Sequence, residues 1–360
     1  MFPLERFASV LFLSLLALPC YPADAIFGRR VYAPEGRTYQ QIWTLDTRTR
    51  QIAPLTKTPR RHAQPVFASG GARIWFLSGA FGNEANTELW SFDPRSRTEK
   101  LAAQFSGRIA RLLGGTADRV FFTAYETDEL ALYRWDGRLT KLARMPGASP
   151  DAAALSPDAR SLAVQTGDVP EILMMEASGA QGRKTPNCAE PVWSPDGKKL
   201  ACASGSTIRI VNLATGVEAA HVEFTPRTTP PTVADYSPDG TRLLVKTVGA
   251  NHSSTYPQSD FWILEIAAGK WTFVGPGQAG LFGANGTVIL VTPRELAHIG
   301  KRQDWVAQLL LVDPATHAQT PIGAGAAASA DPARAPQTPA AVAHPKPAPA
   351  RPKSAPKTKR

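Results

Sequence analysis

The chain has 360 residues, enough for one large or two ordinary domains, and it is rich in turn formers, with 28 glycines and 32 prolines. Aromatic residues make up 8%, so the composition favours a turn-rich all-β protein over a helical one. The formal net charge is +10, but residues 324–360 carry seven Lys or Arg and one acid, so most of the excess lies there. Proteins that bind nucleic acids usually concentrate basic residues on a folded face, so this distribution argues against a specific nucleic-acid partner.

The N-terminus has the features of a secretory signal. Arg6 precedes an apolar run, 7–18, of about a dozen residues, which is too short to cross a bilayer as a helix. Ala23 and Ala25 stand at the small-residue positions of a cleavage site. We therefore expect residues 1–25 to be a signal peptide and the protein to be periplasmic, with a membrane anchor as the alternative that the short run disfavours.

Two sequence motifs alternate along residues 27–322. The first is a hydrophobic residue, then Ser-Pro-Asp-Gly or a remnant of it, then a β-rich segment. Proline presets the first turn position, aspartate bonds its own backbone and glycine accepts positive φ, so each copy predicts a tight hairpin. Three clear copies have their serines at Ser156, Ser194 and Ser237, and degenerate copies begin at Phe67, Leu113 and Phe282.

The second motif is a strand that ends in an acid or amide and is followed by a polar turn. It occurs seven times, with its last residue at Asp46, Asp93, Asp136, Glu176, Asn212, Glu265 and Asp313. The mean spacing of about 45 residues is typical of propeller blades. A β-sandwich, the alternative, does not explain the alternation of two distinct motifs.

We therefore predict an all-β protein, a β-propeller of four-stranded antiparallel blades, over residues 26–322. Seven acid-ended strands favour seven blades. Six blades plus a closing hairpin remain possible, because the first repeat, near residues 27–56, lacks its innermost strand.

Two cysteines remain once the signal is removed, Cys188 and Cys202. They flank the Ser194–Gly197 turn on adjacent predicted strands, and an even pair in an exported protein can form a disulfide. Two unbridged core cysteines are the alternative, because disulfide geometry is demanding and the sequence leaves the register open.

The run Trp193–Ala201, WSPDGKKLA, together with the order of turn, strand and acid-ended strand, resembles the repeat of the TolB-like propeller family. The resemblance covers residues 27–322 and implies the propeller fold. It implies no single function, because that family includes binding scaffolds, peptidase propellers and some lyases. TolB itself has a separate α/β domain before its propeller, whereas here Ile26 leads almost directly into strand residues at Val31–Tyr32. We therefore expect a likeness in repeat architecture, and we do not carry over TolB's partnership with the peptidoglycan-associated lipoprotein.

The long irregular connections share one side of the predicted propeller, opposite the hairpin turns. They span residues 57–64, 79–87, 225–232, 249–259 and 293–305. Variable loops on a rigid scaffold usually carry binding sites, so we predict a binding face there. Its candidate binding residues are Arg60, Arg61, His62, Asn251, His252, Tyr256, Arg294 and His298.

Enzyme signatures are scarce in the sequence. There is no G-x-S-x-G elbow, no H-E-x-x-H pair and no glycine-rich phosphate loop. The histidines at 62, 252 and 298 have no diagnostic metal spacing. We expect no catalytic residue, no cofactor and no metal ion, with metal binding by these histidines, as in a propeller lyase, as the alternative.

Residues 323–360 are dominated by Ala, Pro, Lys and Arg. Such side chains bury too little surface to offset chain entropy, so we expect a disordered basic tail. Its charge suits anionic envelope polymers or lipid head groups, and a solvated tail without a partner is the alternative.

The sequence favours a monomeric, non-enzymatic cell-envelope propeller that acts as a protein-binding scaffold for an unidentified envelope protein. Two alternatives stay open. One is a propeller enzyme of carbohydrate-lyase or hydrolase type, and the other is a propeller that binds a glycan or another small ligand.

Overall fold

The protein is seen in a computed structural model that describes residues 24–32, 38–79, 87–167, 169–226, 229–249, 258–293, 295–299, 302–322 and 328–334. These residues are all-β apart from a 3-10 turn at Ser69–Gly71. None of the described residues forms a helix long and apolar enough to cross a membrane. Most of the predicted signal, 1–23, and the tail beyond Arg334 lie outside the described residues.

Seven four-stranded antiparallel blades account for nearly all of the described strands. Blade 1 contains β1 (Ala25–Tyr32), β2 (Thr38–Asp46), β3 (Gln51–Pro54) and, from the far end of the chain, β30 (Ala328–Arg334). Blade 2 contains β4 (Arg61–Phe67), β5 (Ile74–Gly79), β6 (Glu88–Asp93) and β7 (Thr98–Gln104), and blade 3 contains β8 (Arg108–Gly115), β9 (Val120–Glu126), β10 (Glu129–Trp135) and β11 (Leu139–Arg144). Blade 4 contains β12 (Ala153–Leu155), β13 (Ser161–Thr166), β14 (Glu171–Glu176) and β15 (Gln181–Pro186), and blade 5 contains β16 (Ala189–Trp193), β17 (Lys199–Ser204), β18 (Thr207–Asn212) and β19 (Glu218–Glu223).

The last two blades follow the same order, with one insertion. Blade 6 contains β20 (Thr232–Tyr236), β21 (Arg242–Val248), β22 (Ser259–Glu265) and β23 (Lys270–Gly277). Blade 7 contains β24 (Ala279–Phe282), β25 (Val288–Val291), β28 (Leu309–Val312) and β29 (Gln319–Ile322), and between β25 and β28 stands a separate hairpin of β26 (Glu295–Ile299) and β27 (Arg302–Val306). The prediction of a seven-bladed β-propeller is therefore confirmed.

The hydrophobic core is divided into seven wedges, one between each pair of neighbouring blades. Trp75 of blade 2 packs with Phe122 of blade 3, for example, and Phe27 of blade 1 packs with Ile289 of blade 7. The other five wedges join the remaining neighbours in turn. Because a blade is apolar on both faces, each one depends on two neighbours, and only a closed circle satisfies all of them.

The circle closes through β30, which lies between the innermost strands β24 and β4 and pairs antiparallel with β1. This strand falls inside residues 323–360, which we had expected to be a disordered tail beyond a propeller ending at 322. In the structure the propeller reaches Arg334. The composition of this segment predicted disorder because its side chains can bury little surface. β30 is instead held by backbone pairing to β1, whose inner edge would otherwise be open.

The expected start of the propeller at Ile26 also differs from the structure. The backbone N–H of Asp24 donates to the Leu45 carbonyl at 3.0 Å, and the Asp24 carboxylate accepts from the N–H of Thr47 at 2.8 Å. Ala25 is buried and pairs with Leu45. Asp24 and Ala25, which we had assigned to the signal, therefore form the first residues of blade 1.

The Ser-Pro-Asp-Gly turns share one hydrogen-bond pattern. In the turn at Ser194 the serine hydroxyl donates to Asp196 at 2.6 Å and accepts from the Lys199 N–H at 2.9 Å, while Asp196 accepts from the Lys198 N–H at 3.0 Å. The turns at Ser156 and Ser237 repeat these bonds. Each buried serine, which directly follows one strand, thus bonds to the first residue of the next strand.

The second motif also makes the expected turns. The Asp93 carboxylate accepts from the N–H groups of Arg95 at 2.8 Å and Ser96 at 3.3 Å, and these bonds lower its pKa below the usual aspartate value. Asp46, Asn212 and Asp313 make the same pair of bonds. These three aspartates and Asn212 therefore act as turn formers.

Cys188 and Cys202 are joined as a disulfide, with their Cα atoms 5.5 Å apart. Both residues are fully buried in the wedge between blades 4 and 5. The bridge ties the entry of β16 to β17 within blade 5.

We predict that Gly197→Ala destabilises the protein by about 1 kcal/mol without changing the fold. Gly197 has φ +68°, a backbone conformation that is strained for an L residue. An added Cβ would come no closer than 3.9 Å to Pro157, so the cost is conformational and not steric. Denaturant unfolding measures the change. Lys198→Ala, at the exposed neighbouring position, is the control and should leave stability within about 0.5 kcal/mol.

We expect the Gly197→Ala variant to fold, because Ala159 already occupies the matching position of the blade 4 turn at φ +57°. Loss of folded protein in Gly197→Ala, or no change in its unfolding midpoint, would contradict this account of the turn.

Candidate functional site

The propeller has two unlike faces. The turn face carries the Ser-Pro-Asp-Gly turns and the turns after the acid-ended strands. The loop face carries the connections between blades, such as 55–60 and 145–152, and those between the second and third strands of each blade. Of the predicted binding residues, the described ones, Arg60, Arg61, His62 and His298, lie in segments at this loop face.

Arg60 and Arg61 have different surroundings at the entry to blade 2. The Arg60 guanidinium donates to Glu88 at 2.5 Å and lies over the Trp90 ring, 5.2 Å from its centroid. Glu88 also accepts from the Trp90 indole N–H at 2.7 Å, so Arg60 is part of an internal cluster. Arg61 begins β4 and is exposed, and it offers its charge to solvent.

His62 is fully buried and is part of strand β4, although we had placed it in an irregular loop, 57–64. Its ring packs edge-on against Phe76, with centroids 4.8 Å apart, and its Nε2 lies 3.7 Å from Oε2 of Glu99. Glu99 uses its other oxygen to accept from the Lys57 N–H at 2.7 Å. Desolvation lowers the pKa of His62 to about 4, although the Glu99 charge acts in the opposite direction.

The other predicted binding residues are less fully seen. Asn251, His252, Tyr256 and Arg294 lie outside the described residues. His298 lies in β26, where its backbone pairs with Gln303. The binding role assigned to the eight residues stays a prediction, and of the three described with their side chains only Arg61 is exposed.

A channel of about 550 Å³ runs along the propeller axis. Its wall is formed by the innermost strands of blades 2 to 7, which also bond to each other. The Gln64 side chain, for instance, donates to the Ala110 carbonyl at 2.8 Å and accepts from the Leu112 N–H at 3.1 Å. Leu155 and Pro157 line the channel at its turn-face end.

An ion-pair cluster spans the loop-face end of the channel. Asp151, just before β12, contacts the Arg111 guanidinium of blade 3 and accepts from the Lys246 ammonium of blade 6 at 3.0 Å. Although burial alone would raise its pKa, these two cations hold the pKa of Asp151 below its usual value. All three side chains remain partly exposed, so the cluster is open to an incoming polar group.

Sequence reasoning missed this cluster. Arg111, Asp151 and Lys246 belong to three different blades, and each looks like an ordinary charged residue in its own repeat. The available signal was the position of Asp151 in a connection that enters an innermost strand, because such connections end at the mouth of the channel.

The hairpin of β26 and β27 projects from blade 7 on the loop face, in a segment that we had expected to be irregular. Leu296 of this hairpin is 53% exposed. Two further aliphatic side chains are exposed on the same face, Val248 at the end of β21 by 52% and Val169 by 70%. The loop face thus combines a charged channel mouth with apolar projections.

No group of three or more His, Cys, Asp or Glu side chains that could hold a metal ion occurs among the residues that the structure describes. The three histidines of the metal-binding alternative cannot be compared in space, since His252 and the side chain of His298 are not described.

We predict that the protein loses stability on acidification because of His62. Its pKa of about 4 in the folded state lies below the ordinary value of 6.5, so the unfolded chain binds the extra proton. Stability should therefore fall as the pH drops from 6.5 to 4, by roughly 3 kcal/mol from this residue at pH 4. His62→Phe, which keeps a ring against Phe76, should remove this component when unfolding free energies are compared at pH 7 and pH 4.

His221→Ala is the matched control, because His221 is exposed and pairs with Glu218 at the surface. It should keep the acid sensitivity of the parent. An identical loss of stability in His62→Phe and the parent would show that His62 does not carry the effect.

Comparison with known proteins gives a likeness of structure alone. No protein-family profile and no curated protein matches the chain. Among solved structures, TolB from Acinetobacter baumannii is 18% identical, with a TM-score of 0.51 over 87% of this chain and 83% of that one. A chain in a structure of the mitotic checkpoint complex is 14% identical, with a TM-score of 0.50 over 75% of this chain and 82% of that one.

An oligogalacturonate lyase from Vibrio parahaemolyticus is also similar, at 11% identity and a TM-score of 0.48 over 74% of this chain and 88% of that one. Identities this low speak to fold and not to activity. The expected resemblance to the TolB-like propellers is thus confirmed as a resemblance of fold: the chain is a β-propeller similar in structure to TolB.

Proposed function

We propose that this protein is a non-enzymatic β-propeller of the cell envelope that binds a protein partner on its loop face. The observation that carries the proposal is the β26–β27 hairpin, which raises Leu296 from that face in a half-exposed position. Exposed apolar groups beside polar ones are typical of protein interfaces, where an apolar centre is surrounded by a polar rim. Val248 on the adjacent blade 6 and the exposed Arg61 on blade 2 add to the surface.

A periplasmic location is part of the proposal. The apolar N-terminal run at 7–18, preceded by Arg6, supports export. The Cys188–Cys202 bridge supports it independently, because disulfides persist in oxidising compartments and are rare in the cytosol. The basic residues beyond Arg334 suit a contact with anionic envelope polymers or lipid head groups.

Binding of a small ligand in the axial channel is the second candidate. Its volume of about 550 Å³ lies within the usual range of ligand pockets, and Arg111, Asp151 and Lys246 provide placed polar groups in its wall. Within this candidate a glycan-binding or lyase-type activity stays open. Turnover or saturable binding of an oligosaccharide, lost in Asp151→Asn, would favour it over the protein-binding function.

We predict that Leu296→Arg weakens the proposed partner's binding at least tenfold, because a charge would replace an apolar contact at the interface. The partner is first captured from envelope extracts by the immobilised full chain and identified. Its affinity for each variant is then measured with purified proteins.

Val217→Arg is the matched control. Val217 is also an exposed aliphatic residue, 64% exposed, but it lies in a turn on the turn face. It should leave the affinity unchanged. Equal affinity for both variants, or no reproducible partner for the parent chain, would reject the loop face as the binding surface.

A further inference from the structure

β30, the innermost strand of blade 1, is connected to its blade differently from the innermost strands of the other six blades. In blades 2 to 7 the innermost strand continues through a turn into the next strand of the same blade, as β12 continues into β13. β30 has no such turn to β1, because the two strands come from opposite ends of the described chain. It can therefore leave its place without separating any other pair of strands.

The pairing of β30 is also imperfect. Arg334 and Ala333 pair with Ala25 and Ile26, but the register then shifts, so that residues 330–332 oppose Phe27 alone. Pro332 lies in this interruption and has no N–H to donate. Asp331, beside it, belongs to the residues least favoured in strands. β30 is thus a weak strand by its own sequence.

The edge that β30 covers is, by contrast, well formed. β1 pairs with β2 without interruption from Ala25↔Leu45 to Tyr32↔Thr38. Its side chains are fixed as well, since Ile26 is buried in the wedge toward blade 2 and Phe27 in the wedge toward blade 7. When β30 leaves, the N–H and C=O groups along this edge of a rigid strand become a template for another strand.

We propose that the inner edge of β1 is a strand-exchange site, which accepts an extended, proline-free segment of a partner polypeptide in place of β30. The incoming segment runs antiparallel to β1 and binds mainly through backbone hydrogen bonds, as in other cases of strand addition. β-Branched residues with an unbroken register suit the site, because they restore the pairing that Pro332 and the register shift leave out. This site is separate from the loop-face surface proposed above, and neither depends on the other.

A fluorescent peptide tests the site on the full chain. The peptide copies residues 326–336 with Asp331→Val and Pro332→Thr, and fluorescence anisotropy follows its binding. A peptide of the same composition in scrambled order is the control. We expect saturable binding of the first peptide and at least tenfold weaker binding of the second.

A reversible lock shows whether binding requires β30 to leave. Arg29 and Ala328 are register partners, so Arg29→Cys with Ala328→Cys places two thiols opposite each other. The oxidised variant should not bind the peptide, and the same variant after mild reduction should bind it. The parent chain under the same reductant controls for the native bridge, whose cysteines are buried. Equal binding in the oxidised and reduced states would place the peptide elsewhere and overturn the proposal.

Pro332→Val is a second variant that needs no disulfide. It gives β30 back a donor and a β-branched side chain, so the peptide should bind about fivefold more weakly to this variant than to the parent chain. Unchanged affinity, or no peptide binding to the parent, would overturn the proposal. A concentration-dependent dimer that the oxidised lock abolishes would also overturn it, because the occupant would then be β30 of a second copy.

Discussion

The whole structure depends on the burial of two apolar faces per blade. A four-stranded sheet of this composition cannot cover both faces itself, and each of the seven wedges is built from side chains of two blades. No blade is therefore an independent unit, and the last blade must meet the first. Where blades 7 and 1 meet, Phe27 packs against Ile289 and Leu309 and closes the apolar core. The backbone pairing of β30 with β1 completes the hydrogen bonding of blade 1.

The sequence predicted the parts of the fold that local chemistry dictates. The hydrogen bonds of Ser194, Asp196 and their counterparts need only residues a few positions apart, so turns, strand order and blade number could be inferred from the two motifs. The gap in blade 1 was also visible. What filled it was not, because Ala328–Arg334 is distant in sequence and has the composition of a tail. The cost of an unpaired edge on β1 is a property of the assembled ring and has no local sequence pattern.

The candidate site divides in the same way. The order of the strands was enough to predict that the variable connections lie on the loop face. Arg61 is exposed there. The burial of His62 did not follow, since it arises from Phe76 on the adjacent strand β5 and Glu99 on β7 of the same blade. The cluster of Arg111, Asp151 and Lys246 could not be inferred from any repeat alone, because it exists only where three blades meet at the axis. Both the burial of His62 and the ion-pair cluster arise from residues that are distant in sequence, and the local sequence pattern does not report such contacts.

The register at the join has a mechanical consequence. Ala25 and Arg334 are direct partners, and both stand at the turn-face end of blade 1. Tension applied between these two points pulls on the end of a ladder and breaks its bonds one after another, whereas a pull along the strands would load all of them at once. Force between the two ends of the described chain would therefore detach β30 from β1 first, while the six covalently continuous blades stay folded.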